Sequence, residues 1–322
     1  MTKRERVTAA IRGEEVDGIP SSFSLHFPKD ANSGDAGIEA HLAFFRDSDT
    51  DIIKIMNENL VPGSADIVNA ADYSAYTKHV DVKQPFMKTQ LEYTKKILAK
   101  ADPDAFSVGT LHGICASGIH PFEGPKHLTY GQARMMLKRL LQENEQLMLS
   151  SMARITEGMC GLAKGYIEAG CDGVYFAALG GEKRFFTDEE FERWIKPFDI
   201  QIMQAVRDAG GYVFLHICKD GLNMDRYKDY WQYADVVNWG VYETHYSLEE
   251  GRNLFHGRTV MGGLANRTGV LAEGTKEEAV KEALQVISSY GRKNFILGAD
   301  CTLATDQNME VLRAVVDAAH NA

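Results

Sequence analysis

The chain has 322 residues, 44% apolar and 25% charged, ordinary globular proportions that exclude disordered, collagen-like and coiled-coil classes. Lys plus Arg number 35 against 45 Asp plus Glu, a formal charge of −10. With no basic run, that balance argues against nucleic acid and anionic membranes as partners. The length suits one large α/β domain over residues 1–322, whose core needs no disulfide or metal staple.

The chain opens on Thr2-Lys3-Arg4-Glu5, a capping-box pattern that predicts a helix to about Gly13. Extended runs follow at Ile19–Phe27, Asp51–Met56, Ala105–Leu111, Gly173–Ala177, Tyr212–Ile217, Asp235–Trp239, Thr259–Leu264 and Asn294–Leu297. Between them lie helical stretches, among them Thr129–Glu168 (long enough for two helices), Asp188–Ala209 and Lys276–Ser289, and Asn308–Ala319 closes the chain. Strand-then-helix alternation implies right-handed parallel crossovers. Eight such units point to an α/β fold of the TIM-type (β/α)8 barrel kind with an N-terminal helical extension. An open doubly wound sheet is the alternative, but no G-x-G-x-x-G follows an early strand.

No stretch approaches 18 uninterrupted apolar residues, and the N-terminus has no apolar core of a signal peptide, so a cytoplasmic location is expected. The five cysteines (Cys115, Cys160, Cys171, Cys218, Cys301) are an odd number. In a reducing compartment they are better suited to metal binding or reactivity than to crosslinks.

In a barrel, chemistry gathers where the strands end. Those ends carry His26, Asn57, Glu58, His112, the Gly180-Gly181 loop, His216, Cys218, Asn238, Asn266, Asp300 and Cys301. The sharpest signal is Leu215-His216-Ile217-Cys218, because alternate strand residues share a face and put an imidazole and a thiolate on the same side. Cys301, at the end of the eighth run, faces the same central opening. One His and two Cys leave a fourth position free, as catalytic zinc sites do, and thiolates favour Zn2+ over Mg2+ or Ca2+. Glu58 ranks first as a further ligand, ahead of His112 and Asp300, and Cys115 is an alternative ligand. Against this stands simple burial, since cysteine packs as a small hydrophobe; Cys160 and Cys171 take that reading.

Several segments together resemble the uroporphyrinogen decarboxylase superfamily: the opening Arg6–Pro20, Ala169-Gly170-Cys171-Asp172-Gly173-Val174, Met261-Gly262-Gly263-Leu264, and the ending from Gly298 to Asn308-Met309-Glu310-Val311. The resemblance implies a TIM-type barrel and two competing activities. One is a metal-free decarboxylase, whose Arg-bearing loop after Ile-Pro is replaced here by Ser21–Phe27, with no Arg between Arg12 and Arg46. A polycarboxylate substrate without clustered Arg is hard to hold. The other is the branch of corrinoid-linked zinc methyltransferases, similar to methylcobalamin:coenzyme M methyltransferases, whose H-x-C motif and distant Cys match His216, Cys218 and Cys301. The final loop, Thr302–Asp306, departs from that pattern in lacking a Pro before the last helix.

This second resemblance implies Zn2+ as cofactor, a corrinoid protein as partner, and methyl transfer to or from a small thiol, folate or other methyl-donor substrate. His112, Asn238 and Glu58 are the expected catalytic or ligand-orienting groups, with His26 in a similar role. Tyr175 reads as core packing, Tyr242 and His245 as rim, and Lys183-Arg184 as a solvated basic loop. A homodimer fits the habit of barrels, with no face singled out. A barrel that binds zinc or ligand without turnover is the remaining alternative.

Overall fold

The computed structural model describes residues 1–322 apart from the side chain of His79. Eight parallel strands form one sheet: β1 (Ser21–Ser22), β2 (Ile52–Ile55), β3 (Phe106–His112), β4 (Gly173–Ala178), β5 (Tyr212–Ile217), β6 (Val236–Trp239), β7 (Thr259–Leu264) and β8 (Phe295–Ala299). Their order, β1-β8-β7-β6-β5-β4-β3-β2, curls the sheet into a nearly closed (β/α)8 barrel ringed by helices. Each strand falls within, or one or two residues beyond, one of the eight runs expected from sequence. The runs are apolar almost throughout because both faces of a parallel barrel are covered.

The Ile19–Phe27 run is the most reduced. Only Ser21 and Ser22 join the ladder, through β8, and Leu25 makes a single bridge to Leu303. Across the seam to β2, Asp51 N–H donates to Ser21 O at 3.1 Å. The Asp51 carboxylate in turn accepts from Ser21 N (2.8 Å) and Ser21 Oγ (3.1 Å). A buried side chain therefore does at this seam what a ladder does elsewhere. Arg6 Nη1 (2.6 Å) and His320 Nε2 (2.8 Å) reach the same carboxylate, tying both terminal helices to the barrel's lower rim.

The opening helix, Lys3–Arg12, starts on the Thr2/Glu5 capping box and stops at Gly13, whose φ of 68° is the left-handed cap geometry. Its Val7 and Ala10 plug the bottom of the lumen, packing with Ile52, Phe106, Val108, Phe214, Val236 and Ile296. The stretch Thr129–Glu168 is two helices, Tyr130–Glu143 and Glu145–Glu168, parted at Asn144. Asp188–Ala209 is also divided, at Ile195, into Asp188–Trp194 and Lys196–Asp208. Pro197 lies in the first turn of the second helix, where its missing N–H costs nothing, but it cannot continue the first.

Strand alternation divides the lumen into two levels. On β2, Ile52 packs in the lower plug while Lys54, two residues on, lines a cavity above it; on β5, Phe214 and His216 repeat the pattern. The plug is apolar and filled, leaving the open space at the C-terminal ends of the strands.

Candidate metal centre

The cavity has a volume of about 310 Å³, and His112, Tyr175, His216, Cys218 and Cys301 are among its lining residues. His216, from β5, and Cys218, just past it, are joined by Cys301, which follows β8. One donor atom from each lies within 4.8 Å of the other two. The two sulfurs are 4.0 Å apart.

Asn238 of β6 determines which imidazole nitrogen is available. Its amide is oriented by Nδ2, which donates to Met261 O at 2.8 Å and Ala299 O at 3.1 Å. Oδ1 must then accept, and it faces His216 Nδ1 at 2.5 Å and the Tyr175 hydroxyl at 3.1 Å. The His216 hydrogen is thereby placed on Nδ1, and Nε2 is left as a bare lone pair. Nε2 is buried and has no hydrogen-bond partner. Tyr175 stacks on the ring, centroids 5.4 Å apart and planes 28° apart, and prevents it from turning.

The donor set is thus one lone-pair nitrogen and two sulfurs, which fits zinc and leaves room for a fourth ligand from the cavity. The paired sulfurs share their protons unequally. The contact between them holds the Cys301 thiol well below its usual range, while Cys218 is pushed up by the same contact and by burial.

The remaining expected residues fall into distinct places. His112 ends β3 and lines the cavity, its pKa lowered to about 4 by burial and then by His26, so its ring is neutral at ordinary pH. Its neighbour His120 meets it edge-on at 5.3 Å. Glu58 lies outside the three-residue group and accepts from His26 Nδ1 at 2.8 Å, a bond that lowers its pKa. Asp300 is buried beside Cys301; its Oδ2 accepts from Tyr242 N at 2.9 Å, its Oδ1 is unpaired, and burial raises its pKa to about 6. Asn266 lines the cavity and donates to Thr302 O at 3.0 Å. Cys115 is apart from the group in the helix Ile114–Glu123, where burial pushes its thiol up to about 12. Cys160 and Cys171 are also apart and raised by burial, to about 11 and about 12. Arg184 pairs with Asp220 at 2.8 Å on the surface.

Several lining residues escaped the sequence reading, among them Lys54, Lys219 and Glu243. Lys54 points inward from β2, only 4% exposed, with its ammonium 3.6 Å above the centre of the Tyr175 ring. Burial lowers its pKa to about 8, against a raising influence from Cys301 and Cys218. Lys219, next to Cys218, has φ of 90°, a conformation rare for a side chain of its size, and holds its ammonium 4.4 Å from the Tyr130 ring. Glu243 reaches the cavity from the short helix Val241–Thr244. Only Lys54 left a clear trace in the sequence, as a lone charge at the inward parity of an apolar strand.

The family model described as uroporphyrinogen decarboxylase (URO-D) matches residues 55–322, so the opening segment Arg6–Pro20 lies outside the match. Among curated proteins no relative matches by sequence. Among solved structures, a methyltransferase from Methanosarcina mazei is similar at TM-score 0.76 and 16% identity, over 99% of this chain and 98% of that one. A B12-independent methionine synthase from Shewanella sp. W3-18-1, in complex with selenomethionine, is similar at TM-score 0.57 and 12% identity, over 94% and 97%. A putative B12-independent methionine synthase from Listeria monocytogenes reaches TM-score 0.51 at 13% identity, over 94% and 95%. At these identities the likeness is one of fold.

Proposed function

The chain belongs to the uroporphyrinogen decarboxylase family, and within it we propose a zinc-dependent methyltransferase that moves a methyl group between a corrinoid protein and a small sulfur-containing or other methyl-exchanging substrate. One observation carries the reading: a buried imidazole nitrogen with no hydrogen-bond partner converges with two cysteine sulfurs beside an open cavity. A closed structural site would have a fourth protein ligand, whereas three ligands beside a cavity leave a corner for substrate.

His216, Cys218 and Cys301 would hold the ion, and zinc so bound would supply the positive charge that keeps a substrate thiol ionised near neutral pH. The chain's own groups account for the rest. Asn238 fixes the tautomer and orientation of His216. Tyr175 braces the same ring from its face. Neutral His112 can donate or accept one hydrogen bond to a substrate in the cavity without adding charge. The sulfur-bearing substrate occupies the cavity, and the corrinoid protein covers the barrel mouth above it.

The test is elemental analysis of purified protein alongside methylcobalamin demethylation followed by absorbance. Wild type is expected to carry about one zinc per chain. His216→Ala and Cys218→Ala should lose both the metal and the activity. Variants that lose activity yet keep full zinc would overturn the assignment of these ligands.

A further inference from the structure

The lumen holds a second feature that costs stability. Lys54 is a buried cation on a strand whose neighbours Ile52, Ile53, Ile55 and Met56 are all apolar. An ammonium taken from water is costly unless an anion compensates it, and a carboxylate partner is the ordinary solution. Lys54 has none among the described residues: its ammonium rests on the Tyr175 ring, 3.6 Å from the ring centre. The other cationic lining residues are placed differently, Arg267 being exposed to solvent. Arg134 stands 3.8 Å from the buried carboxylate of Glu182, and Lys219 is half-exposed over Tyr130.

Charge counting shows what this ammonium is for. One doubly charged zinc, two thiolates and a neutral imidazole sum to zero, so a neutral fourth ligand needs no counter-charge. An anionic fourth ligand brings −1 into a low-dielectric site, where an uncompensated charge is strongly disfavoured. Tyr175 touches both Lys54 and His216, which places the ammonium one ring away from the ligand cluster.

We infer that Lys54 is a specificity-determining residue that makes the open corner of the site select a substrate thiolate over the corresponding neutral thioether. The inference rests on the methyltransferase reading above and sharpens it, because it assigns the small molecule as methyl acceptor. In the transfer, a thiolate lone pair forms the new S–CH3 bond as the bond between methyl and its corrinoid carrier breaks, and that bonding pair leaves with the carrier. The product is an uncharged thioether that Lys54 no longer holds, so the same ammonium favours binding of acceptor and release of product.

The experiment compares binding of 2-mercaptoethanol and its S-methyl ether to cobalt(II)-substituted protein, followed by the thiolate-to-cobalt absorption band and by calorimetry. Lys54→Met should weaken thiol binding by about tenfold or more, the size of effect a nearby opposite charge has on ionisation. Thioether binding should stay within about twofold, and Lys54→Arg should retain most of the preference for thiol. The Met variant should also melt no lower than wild type, because it relieves a buried charge. Equal losses for both probes, or an unchanged thiol affinity, would overturn the inference. Absence of metal binding in wild type would instead sink the parent reading, so the two failures are distinguishable.

Discussion

Removing the Asn238 side chain tests how the site is built, because that amide makes four hydrogen bonds and none of them goes to the cavity. Asn238→Ala strips the acceptor from His216 Nδ1 and from the Tyr175 hydroxyl, and the donor from Met261 O and Ala299 O. With nothing to hold the hydrogen on Nδ1, the imidazole can present either nitrogen. Losing such an orienting partner typically lowers metal affinity about 10–100-fold, or roughly 1.4–2.7 kcal/mol. Stranded buried groups cost about 1–3 kcal/mol each, with partial relaxation, so the metal-free protein should lose roughly 2–4 kcal/mol of stability. Asn238→Asp separates the two effects. It keeps an oxygen for His216 but turns the other carboxylate oxygen against two carbonyls, so stability should fall while zinc affinity exceeds that of the Ala variant. Competition against a chromophoric chelator measures the first quantity and urea unfolding of the apo-protein the second. If zinc affinity in Asn238→Ala stays within twofold of wild type, the amide does not orient His216 and the derivation of the free Nε2 fails.

Other outcomes follow from the scaffold. Asp51 is held below its usual carboxylate range: burial opposes ionisation, but His320, Ser21 and Arg6 together outweigh it. Its contribution is therefore present above the unfolded pKa and lost as pH falls through the folded one; Asp51→Ala should cost about 3–5 kcal/mol at neutral pH and flatten the acid limb of the stability curve. Asp199 has the opposite sign, raised to about 7 by burial while accepting from Ile114 N (3.0 Å) and the Tyr230 hydroxyl (3.2 Å). The folded state then holds the extra proton between about pH 4 and 7, so stability falls with rising pH there by up to about 1.4 kcal/mol per unit, and Asp199→Asn should remove that slope in equilibrium unfolding. At Gly251 an added Cβ would lie 1.9 Å from the Trp239 ring, so Gly251→Ala should shift tryptophan emission and cost about 1–3 kcal/mol.

The barrel was legible because its strands are buried on both faces: eight apolar runs bounded by polar turns leave little choice of architecture. The short first strand was overdrawn because composition does not reveal that Asp51, not a ladder, closes the β1–β2 seam. At the site, His216 and Cys218 were visible through strand parity, and Cys301 through its position after the last strand. Tyr175 read as packing and is packed, yet its hydroxyl also serves Asn238, a contact between β4 and β6 that no local pattern encodes. Glu58 has a partner of the same kind: its carboxylate accepts from the His26 imidazole, 32 residues away in sequence, a contact that its place at a strand end does not reveal.

Burial alone does not separate scaffold from site in this molecule, whereas satisfaction of the buried imidazole nitrogens and carboxylate oxygens does. Asp51, fully buried, spends its carboxylate on four hydrogen bonds at the lower rim. Asp199, equally buried, has a donor on each oxygen. Among the described residues, the buried imidazole nitrogens and carboxylate oxygens without any partner are His120 Nδ1, His216 Nε2 and Asp300 Oδ1. Two of the three belong to residues lining the strand-end cavity and the third to the residue beside Cys301. Elsewhere among the described residues such buried groups are paired, and those left unpaired lie where the strands end. Lys54, with no carboxylate partner among the described residues, lines the same cavity, and the proposed metal and anionic substrate would supply the partners these groups lack.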